Sequence, residues 1–257
     1  MPYSVWPSAS TRASPTSTSV VKQPAAGAMA LAGQAPGVLT TGAGVYSTNF
    51  SLTQNPIVED GGWTLGTAAT DWNGVQTSGG VACAVAFNPA TEDDNVAVRS
   101  SLASGASGGH YVEATLYIAS GYSPANPHEA ELLTGCTIGP GASIKLYEAL
   151  FSYGGIFQLM RWNGARSDFV EITTGTSQNG GVIARANGQL CRAEFRVIAG
   201  DVEIRIYQDS VLRAIFTDSS AGKLTTGTQA GMGFFSRGGS GAVLTSMGWT
   251  DMTVGNL

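Results

Sequence analysis

From Phe50 onward, apolar and polar residues alternate in short stretches separated by Gly, Asn, Asp and Ser, and this period of two is the strongest constraint on the fold. Such alternation sends successive side chains to opposite faces of a β-strand. Turn residues follow at 199–201 and 209–210, so the pattern predicts antiparallel hairpins. The clearest stretch has four apolar residues facing one way and three charged residues facing the other: Cys191, Ala193, Phe195 and Val197 against Arg192, Glu194 and Arg196.

The same pattern predicts further strands at 111–118, 144–153, 157–162 and 243–253. The stretch His128–Leu133 has some helical character, but it is too short for an ordinary helix, and we interpret it as strand or turn. The chain also contains 35 glycines, and only 12% of its residues are charged, which disfavours long solvated helices. Many short strands with frequent turns predict an all-β fold, an antiparallel β-sandwich of two packed sheets.

The first 58 residues contain only two charged side chains, Arg12 and Lys22. Up to residue 26 the segment is rich in Ser, Thr, Pro and Ala, which bury too little apolar surface to order themselves. We therefore predict an extended N-terminal arm over 1–47 that docks on a partner, followed by the sandwich over 48–257; a disordered tail is the alternative interpretation. Five side chains of the arm gain free energy only when covered, and these are the candidate assembly residues: Tyr3, Val5, Trp6, Val20 and Val21.

The charge balance excludes some classes of partner. A net charge of −5 and a pI near 5.0 argue against proteins that bind by neutralising phosphates, and anionic membranes are equally unfavourable. The N-terminus has neither the cationic start nor the apolar stretch of a secretory signal. The apolar segment Ala25–Leu39 is interrupted by Gly and Pro and is too short to cross a bilayer. We expect synthesis in the cytoplasm and neither nucleic acid nor membrane as a partner.

Cysteines and histidines give little support for catalysis. The three cysteines, Cys83, Cys136 and Cys191, lie far apart, so we interpret them as small buried hydrophobic residues. Only His110 and His128 could act as the base of a catalytic triad, and neither adjoins a G-x-S-x-G motif. No catalytic residue is predicted from these positions.

One acidic run offers oxygen ligands of the kind that calcium prefers: Glu92, Asp93, Asp94 and Asn95. The run lacks the regular spacing of a calcium-binding loop, so a solvated acidic turn is the favoured interpretation. We expect no metal and no other cofactor.

Three short motifs lie close together between residues 147 and 169. They are Tyr-Glu at 147–148, Arg-Trp-Asn-Gly at 161–164 and Asp-Phe at 168–169, with further matches at 50–56, 61–63, Glu129, Glu131 and 231–235. Together these motifs resemble concanavalin A-like (laminin G/lectin-glucanase) jelly-roll domains of bacteriophage and bacterial proteins, and the resemblance covers residues 48–257. It implies that the predicted sandwich is a concanavalin A-like jelly roll.

The segment Pro24–Pro36 fits the pattern P-x-x-G-x-x-x-L-x-G-x-x-P. It is similar to a segment that recurs in phage structural proteins. Together with the charge-poor arm and the missing secretory signal, this resemblance implies a non-enzymatic virion structural protein, made in the host cytoplasm and attached through its arm to capsid or tail proteins. We expect many copies of the protein on one particle, and therefore a homo-oligomer. The sequence does not distinguish capsid decoration from a fibre-like appendage.

An alternative function is a host-glycan adhesin. Sugar recognition requires an aromatic surface and a few polar groups that orient hydroxyls. The sequence offers two such pairs as candidate glycan-binding residues, Trp72 with Asn73 and Trp162 with Asn163. Packing in the core or at its rim is the competing interpretation of both tryptophans.

A polysaccharide hydrolase is the least favoured function. Glucanases that this chain resembles carry a Glu-x-Asp-x-x-Glu signature on one strand, and retaining hydrolysis requires two carboxyl groups about 5–5.5 Å apart. Glu129 and Glu131 share a strand face, but the other carboxylates of that signature are absent. Glu148 lies in an otherwise apolar strand, so it needs a partner if buried, and Arg161 is the cation that we expect to pair with it.

Overall fold

The computed structural model describes residues 38–39, 45–68, 72–85, 94–99, 109–122, 128–138, 143–151, 158–165, 167–172, 175–177, 186–236 and 244–257. The chain divides into two units, Met1–Ala30 and Leu31–Leu257, and every described residue belongs to the second. The segment Pro24–Pro36 and the arm residues Tyr3, Val5, Trp6, Val20 and Val21 lie outside the described residues. In the described part of the chain, no helix is long and apolar enough to span a membrane.

The larger sheet has ten strands, which pair antiparallel with one another. Its main order is β1-β2-β17-β7-β13-β14-β15-β12, while β5 pairs with β17 and β4 pairs with β5. The strands are β1 (Val38–Leu39), β2 (Val45–Thr48), β4 (Val75–Ser78), β5 (Val81–Ala84), β7 (His110–Ile118), β12 (Gly175–Ser177), β13 (Leu190–Ile198), β14 (Asp201–Gln208), β15 (Val211–Asp218) and β17 (Met247–Asn256).

The smaller sheet has seven strands, also antiparallel, in the order β11-β10-β9-β8-β16-β6-β3. They are β3 (Trp63–Leu65), β6 (Asn95–Arg99), β8 (His128–Ile138), β9 (Ile144–Leu150), β10 (Gln158–Gly164), β11 (Phe169–Glu171) and β16 (Gln229–Ser236). Two single 3₁₀ turns, Gly66–Ala68 and Leu244–Ser246, are the helical elements of the described residues.

The two sheets face each other across one hydrophobic core, so the predicted antiparallel β-sandwich is confirmed. The stretch His128–Leu133 forms the first half of β8, in agreement with its interpretation as a strand. The alternation in the sequence decides which side chains enter the core. From the larger sheet these include Cys191, Ala193, Phe195, Val202, Ile204 and Ile206, and from the smaller sheet Leu132, Tyr147, Ala149, Leu159 and Met232.

Two tight turns set the register of the meander β13-β14-β15. Ala199 and Gly200 join β13 to β14 with φ values of 51° and 90°, and Asp209 and Ser210 join β14 to β15 with φ values of 51° and 64°. Two successive residues with positive φ characterise the two-residue turn whose twist matches that of an antiparallel hairpin. Both predicted hairpins are therefore present.

The predicted boundary between arm and sandwich falls inside β2. This strand pairs with β17 over Val45–Thr48, so residues 45–47 belong to a sheet. Residues Val38–Leu39 pair in turn with β2 and form the edge of the larger sheet. The arm over 1–47 stays a prediction, and the structure places the last residues of that range in strands.

The smaller sheet is also covered on the face that points away from the core. A second hydrophobic cluster lies there, and its residues alternate with the core residues along the strands. Both faces of this sheet are therefore removed from water over much of their area. The members of the second cluster are Trp72, Val96, Val98, Leu133, Cys136, Ile138, Ile144, Leu146 and Trp162, with Met160 packed against them.

A buried polar network joins the two sheets. Arg161 on β10 donates to Asp218 at the end of β15 over 2.7 Å, and the Tyr147 hydroxyl on β9 donates to the same carboxylate oxygen over 2.7 Å. The side chains of Arg161 and Asp218 are almost fully buried. Burial alone would raise the pKa of Asp218, but hydrogen bonds from Ser220, Tyr147 and Arg161 outweigh it and hold the pKa below its usual value.

Substitution of one charge in this network is expected to destabilise the sandwich strongly. Asp218→Asn leaves the Arg161 guanidinium buried without a counter-charge, so we expect the free energy of unfolding to fall by about 3 kcal/mol in urea titrations. The double variant Asp218→Asn with Arg161→Met removes both charges and is expected to recover part of that loss. Equal stabilities of the single variant and the unchanged protein would contradict this role.

Candidate functional site

Three carboxylates meet on the outer face of the smaller sheet, among the residues of the second cluster. Asp94 precedes β6, Glu131 lies on β8 and Glu148 on β9, and one carboxylate oxygen from each lies within 4.8 Å of the others. Their exposed fractions are 4%, 0% and 4%. We call these three residues the acid cluster.

Strand register brings the acid cluster together. In the β8–β9 pair Leu133 lies opposite Glu148, so Glu131, two residues earlier on the same face, is its diagonal neighbour. On the other side of β8, Gly233 of β16 lies opposite Glu131. A Cβ at residue 233 would lie 2.1 Å from Glu131 Oε2, so the carboxylate occupies space that any larger residue would fill.

Aromatic residues cover the acid cluster on one side. The Trp162 indole N–H donates to Glu148 Oε2 over 2.5 Å, and Trp72 packs against Trp162 edge to face with ring centroids 4.7 Å apart. The two tryptophans are 3% and 4% exposed, so neither presents a ring face to solvent. Phe169 on β11 extends the aromatic row, since its ring centroid lies 4.9 Å from that of Trp162 and its side chain is 47% exposed.

The two predicted asparagines lie next to these tryptophans and are engaged in local structure. The Asn73 backbone forms a bridge, with its N–H donating to the Asp94 carbonyl and its carbonyl accepting from the Val96 N–H. Asn163 accepts from the Arg161 Nε and donates to Asp168 Oδ1. The structure thus brings Trp72 and Trp162 together, as packed residues, and glycan binding by these four residues stays a prediction.

Two expectations about charged residues are wrong. Glu148 does not pair with Arg161: in the β9–β10 pair Glu148 lies opposite Met160, so Glu148 points outward while Arg161 points inward to Asp218. Asp94 does not lie in a solvated turn, because it is buried in the acid cluster. Of the acidic run, Glu92 and Asp93 lie outside the described residues.

The acid cluster could support two kinds of chemistry. Three oxygens this close form a donor set that hard cations such as Ca²⁺ accept. Two carboxyl groups at about this separation also approach the 5–5.5 Å spacing of retaining glycosidases. Burial of the acid cluster closes it to a polysaccharide chain in this conformation. The expectation of no metal or cofactor stays a prediction.

The cysteines and His110 are buried groups with perturbed pKa values. All three cysteines are free and buried, as predicted, and burial raises the pKa of the Cys83 thiol to about 11. His110 opens β7, stacks on Phe195 with ring centroids 4.8 Å apart and accepts from the Gly135 N–H at its Nε2. Burial lowers its pKa from 6.5 to about 4, so the ring is a neutral packing residue at pH 7.

The jelly-roll sandwich has counterparts among solved structures of other proteins. The fold is similar to an endo-1,3-beta-glucanase from Streptomyces sioyaensis, with a TM-score of 0.50 and 11% identity over 85% of this chain and 98% of that one. Other similar structures are the CBM2 module of an evolved Dit of a Lactobacillus casei phage (TM-score 0.47, 13% identity, 81% and 93% covered) and a lectin from Bauhinia forficata in complex with GalNAc (0.39, 11%, 80% and 97%).

No protein-family model and no curated protein sequence matches this chain. At these identities the structural likeness establishes the fold alone. The predicted concanavalin A-like jelly roll is confirmed, and ligand and activity have to be argued from the residues of this chain.

Acid is expected to weaken the fold through His110. Its folded-state pKa lies below the unfolded value of 6.5, so its contribution to stability is complete above pH 6.5 and is lost as the pH falls towards 4. The loss over this window is about 3 kcal/mol, measured by urea unfolding at a series of pH values. His110→Gln does not titrate, and its stability is expected to depend less on pH in this window; identical slopes for the two proteins would contradict the assignment.

Proposed function

We propose that this protein is a non-enzymatic, glycan-recognising β-sandwich carried on a bacteriophage particle. The observation that carries the proposal is that the sandwich has the fold of a carbohydrate-active enzyme while its acid cluster is closed to solvent. Glu148 is held by the Trp162 indole, and Glu131 is fully buried. A protein that keeps the scaffold but encloses these acids is suited to binding and display.

The arm provides the attachment in this proposal. It is almost uncharged and carries apolar side chains that gain free energy when a partner covers them. Because β1 is an edge strand of the larger sheet, the chain that precedes Val38 is joined to the sandwich at a sheet edge. Capsid or tail proteins are the proposed partners, either in capsid decoration or in a fibre. Many copies, assembled as a homo-oligomer, would gain avidity for a host surface glycan.

Deletion of residues 1–37 tests the attachment. It leaves β1 and β2 intact, so we expect the melting temperature to stay within a few degrees while co-sedimentation with phage particles is lost. A double substitution in the full-length protein, Val5→Asp with Trp6→Ser, is also expected to reduce co-sedimentation of the protein with phage particles. Full incorporation of the folded deletion variant would contradict attachment through the arm.

A polysaccharide hydrolase is the second candidate, because the carboxylates of the acid cluster lie within 4.8 Å of one another. We expect the intact protein to bind on a glycan array and to release no reducing ends from β-1,3-glucan or from host-wall polysaccharide. Release that persists in Glu203→Gln, a carboxylate on the other sheet that lines neither site, and disappears in Glu148→Gln would establish hydrolysis instead. A blank array with a folded protein would contradict glycan recognition.

A further inference from the structure

A pocket opens on the outer face of the larger sheet, on the opposite side of the sandwich from the acid cluster. Strands β7, β13 and β14 form its floor, and the turn between β14 and β15 forms one wall. We call it the back-sheet pocket. It is lined by Glu113, Leu190, Arg192, Glu194, Tyr207 and Ser210.

Strand register places the polar side chains of this pocket in a row. Arg192 on β13 lies opposite Glu113 on β7 and opposite Tyr207 on β14. The alternation that sends Cys191 and Ala193 into the core sends Arg192 and Glu194 outward. The back-sheet pocket is thus built on three paired strands, which hold its side chains more firmly than loops do.

Glu194 organises the charges. It is only 5% exposed, and Arg192 donates from Nε to its Oε1 over 2.9 Å while the Arg192 Nη2 lies 2.8 Å from the same oxygen. Its Oε2 accepts from Arg196 Nη2 over 2.9 Å and from the Tyr207 hydroxyl over 3.4 Å. Arg192 also lies 3.8 Å from Glu113 and stacks on the Tyr111 ring, with 3.8 Å between Cζ and the ring centroid.

This arrangement balances its own charges. Two carboxylates, Glu113 and Glu194, face two guanidinium groups, Arg192 and Arg196. A charged ligand would have to compete with an existing ion pair and leave a buried partner uncompensated, which is costly. A ligand without charge can use the remaining N–H groups, the hydroxyls and the outer carboxylate oxygens without breaking a pair.

We propose that the back-sheet pocket binds a neutral saccharide. Its fixed planar donors and acceptors suit several adjacent hydroxyls, while Tyr207 and Leu190 supply an apolar surface for the C–H face of a sugar ring. The ion pairs are formed before binding, which lowers the entropy cost of orienting those groups. This inference rests on the proposed glycan recognition and assigns it to a surface away from Trp72 and Trp162.

The test uses the full-length protein on an array of neutral hexose and N-acetylhexosamine oligosaccharides, with sialylated and uronic-acid glycans beside them. Arg192→Lys keeps the charge but removes the planar guanidinium group that holds Glu194. We expect binding to the neutral oligosaccharides to weaken at least tenfold. Arg99→Lys is the matched control, since Arg99 on the smaller sheet also pairs with a carboxylate, that of Asp60, and stacks on a tyrosine ring, that of Tyr46, but does not line the pocket. We expect it to bind as the unchanged protein does, with melting temperatures confirming that both variants fold.

A second variant, Tyr207→Ala, removes the aromatic part of the apolar surface and is expected to weaken binding to the same neutral oligosaccharides. Neutral binding that survives both Arg192→Lys and Tyr207→Ala would overturn the location and leave the proposed function standing. Binding restricted to acidic glycans would overturn the ligand class. A folded protein that binds no glycan at all would overturn both the inference and the proposed function.

Discussion

Burial of the smaller sheet on both faces is the constraint on which the arrangement of its functional groups depends. In an ordinary two-layer sandwich each sheet has one covered and one solvated face. Here the second hydrophobic cluster covers the outer face, so polar side chains that point away from the core are still removed from water. Asp94, Glu131 and Glu148 are buried there, and Glu148 accepts a hydrogen bond from Trp162 on the neighbouring strand β10.

The alternation of side chains along β10 separates two groups of polar residues that lie close together in sequence. On β10, Arg161 points inward to Asp218 and Tyr147, where it links the sheets, while Trp162 points outward to Glu148. The first system contains opposite charges in a closed network, and the second brings three carboxyl groups together beside aromatic residues. The larger sheet keeps its outer face open, and there the charges of Arg192, Glu194 and Arg196 neutralise one another within reach of solvent.

Much of the fold could be predicted from the sequence, because strands and hairpins depend on local patterns. The alternation at 191–197 and the turn residues at 199–200 and 209–210 predict the β13-β14-β15 meander as it stands. The same alternation shows which residues share a face but leaves open whether that face is solvated. The acid cluster escaped prediction for this reason, and because it depends on β16, which lies between β6 and β8 in the sheet but follows both of them far along the chain. The predicted pairing of Glu148 with Arg161 was wrong because it depends on the β9–β10 register. That register puts Met160 opposite Glu148, so the side chains of Glu148 and Arg161 point to opposite faces of the sheet.

The position of β17 has a consequence for how the chain acquires its structure. The meander β13-β14-β15 is joined by two-residue turns and can form from contacts between near neighbours in sequence. By contrast, β17 pairs with β2, β5 and β7, strands that precede it by more than a hundred residues. Until Met247–Asn256 has been synthesised, the larger sheet therefore stays divided into three parts, which are β1-β2, β4-β5 and the strands from β7 to β12 in the sheet order. The pairing of β17 with β2 closes the longest loop between paired strands of the described residues, so its cost in chain entropy is the greatest.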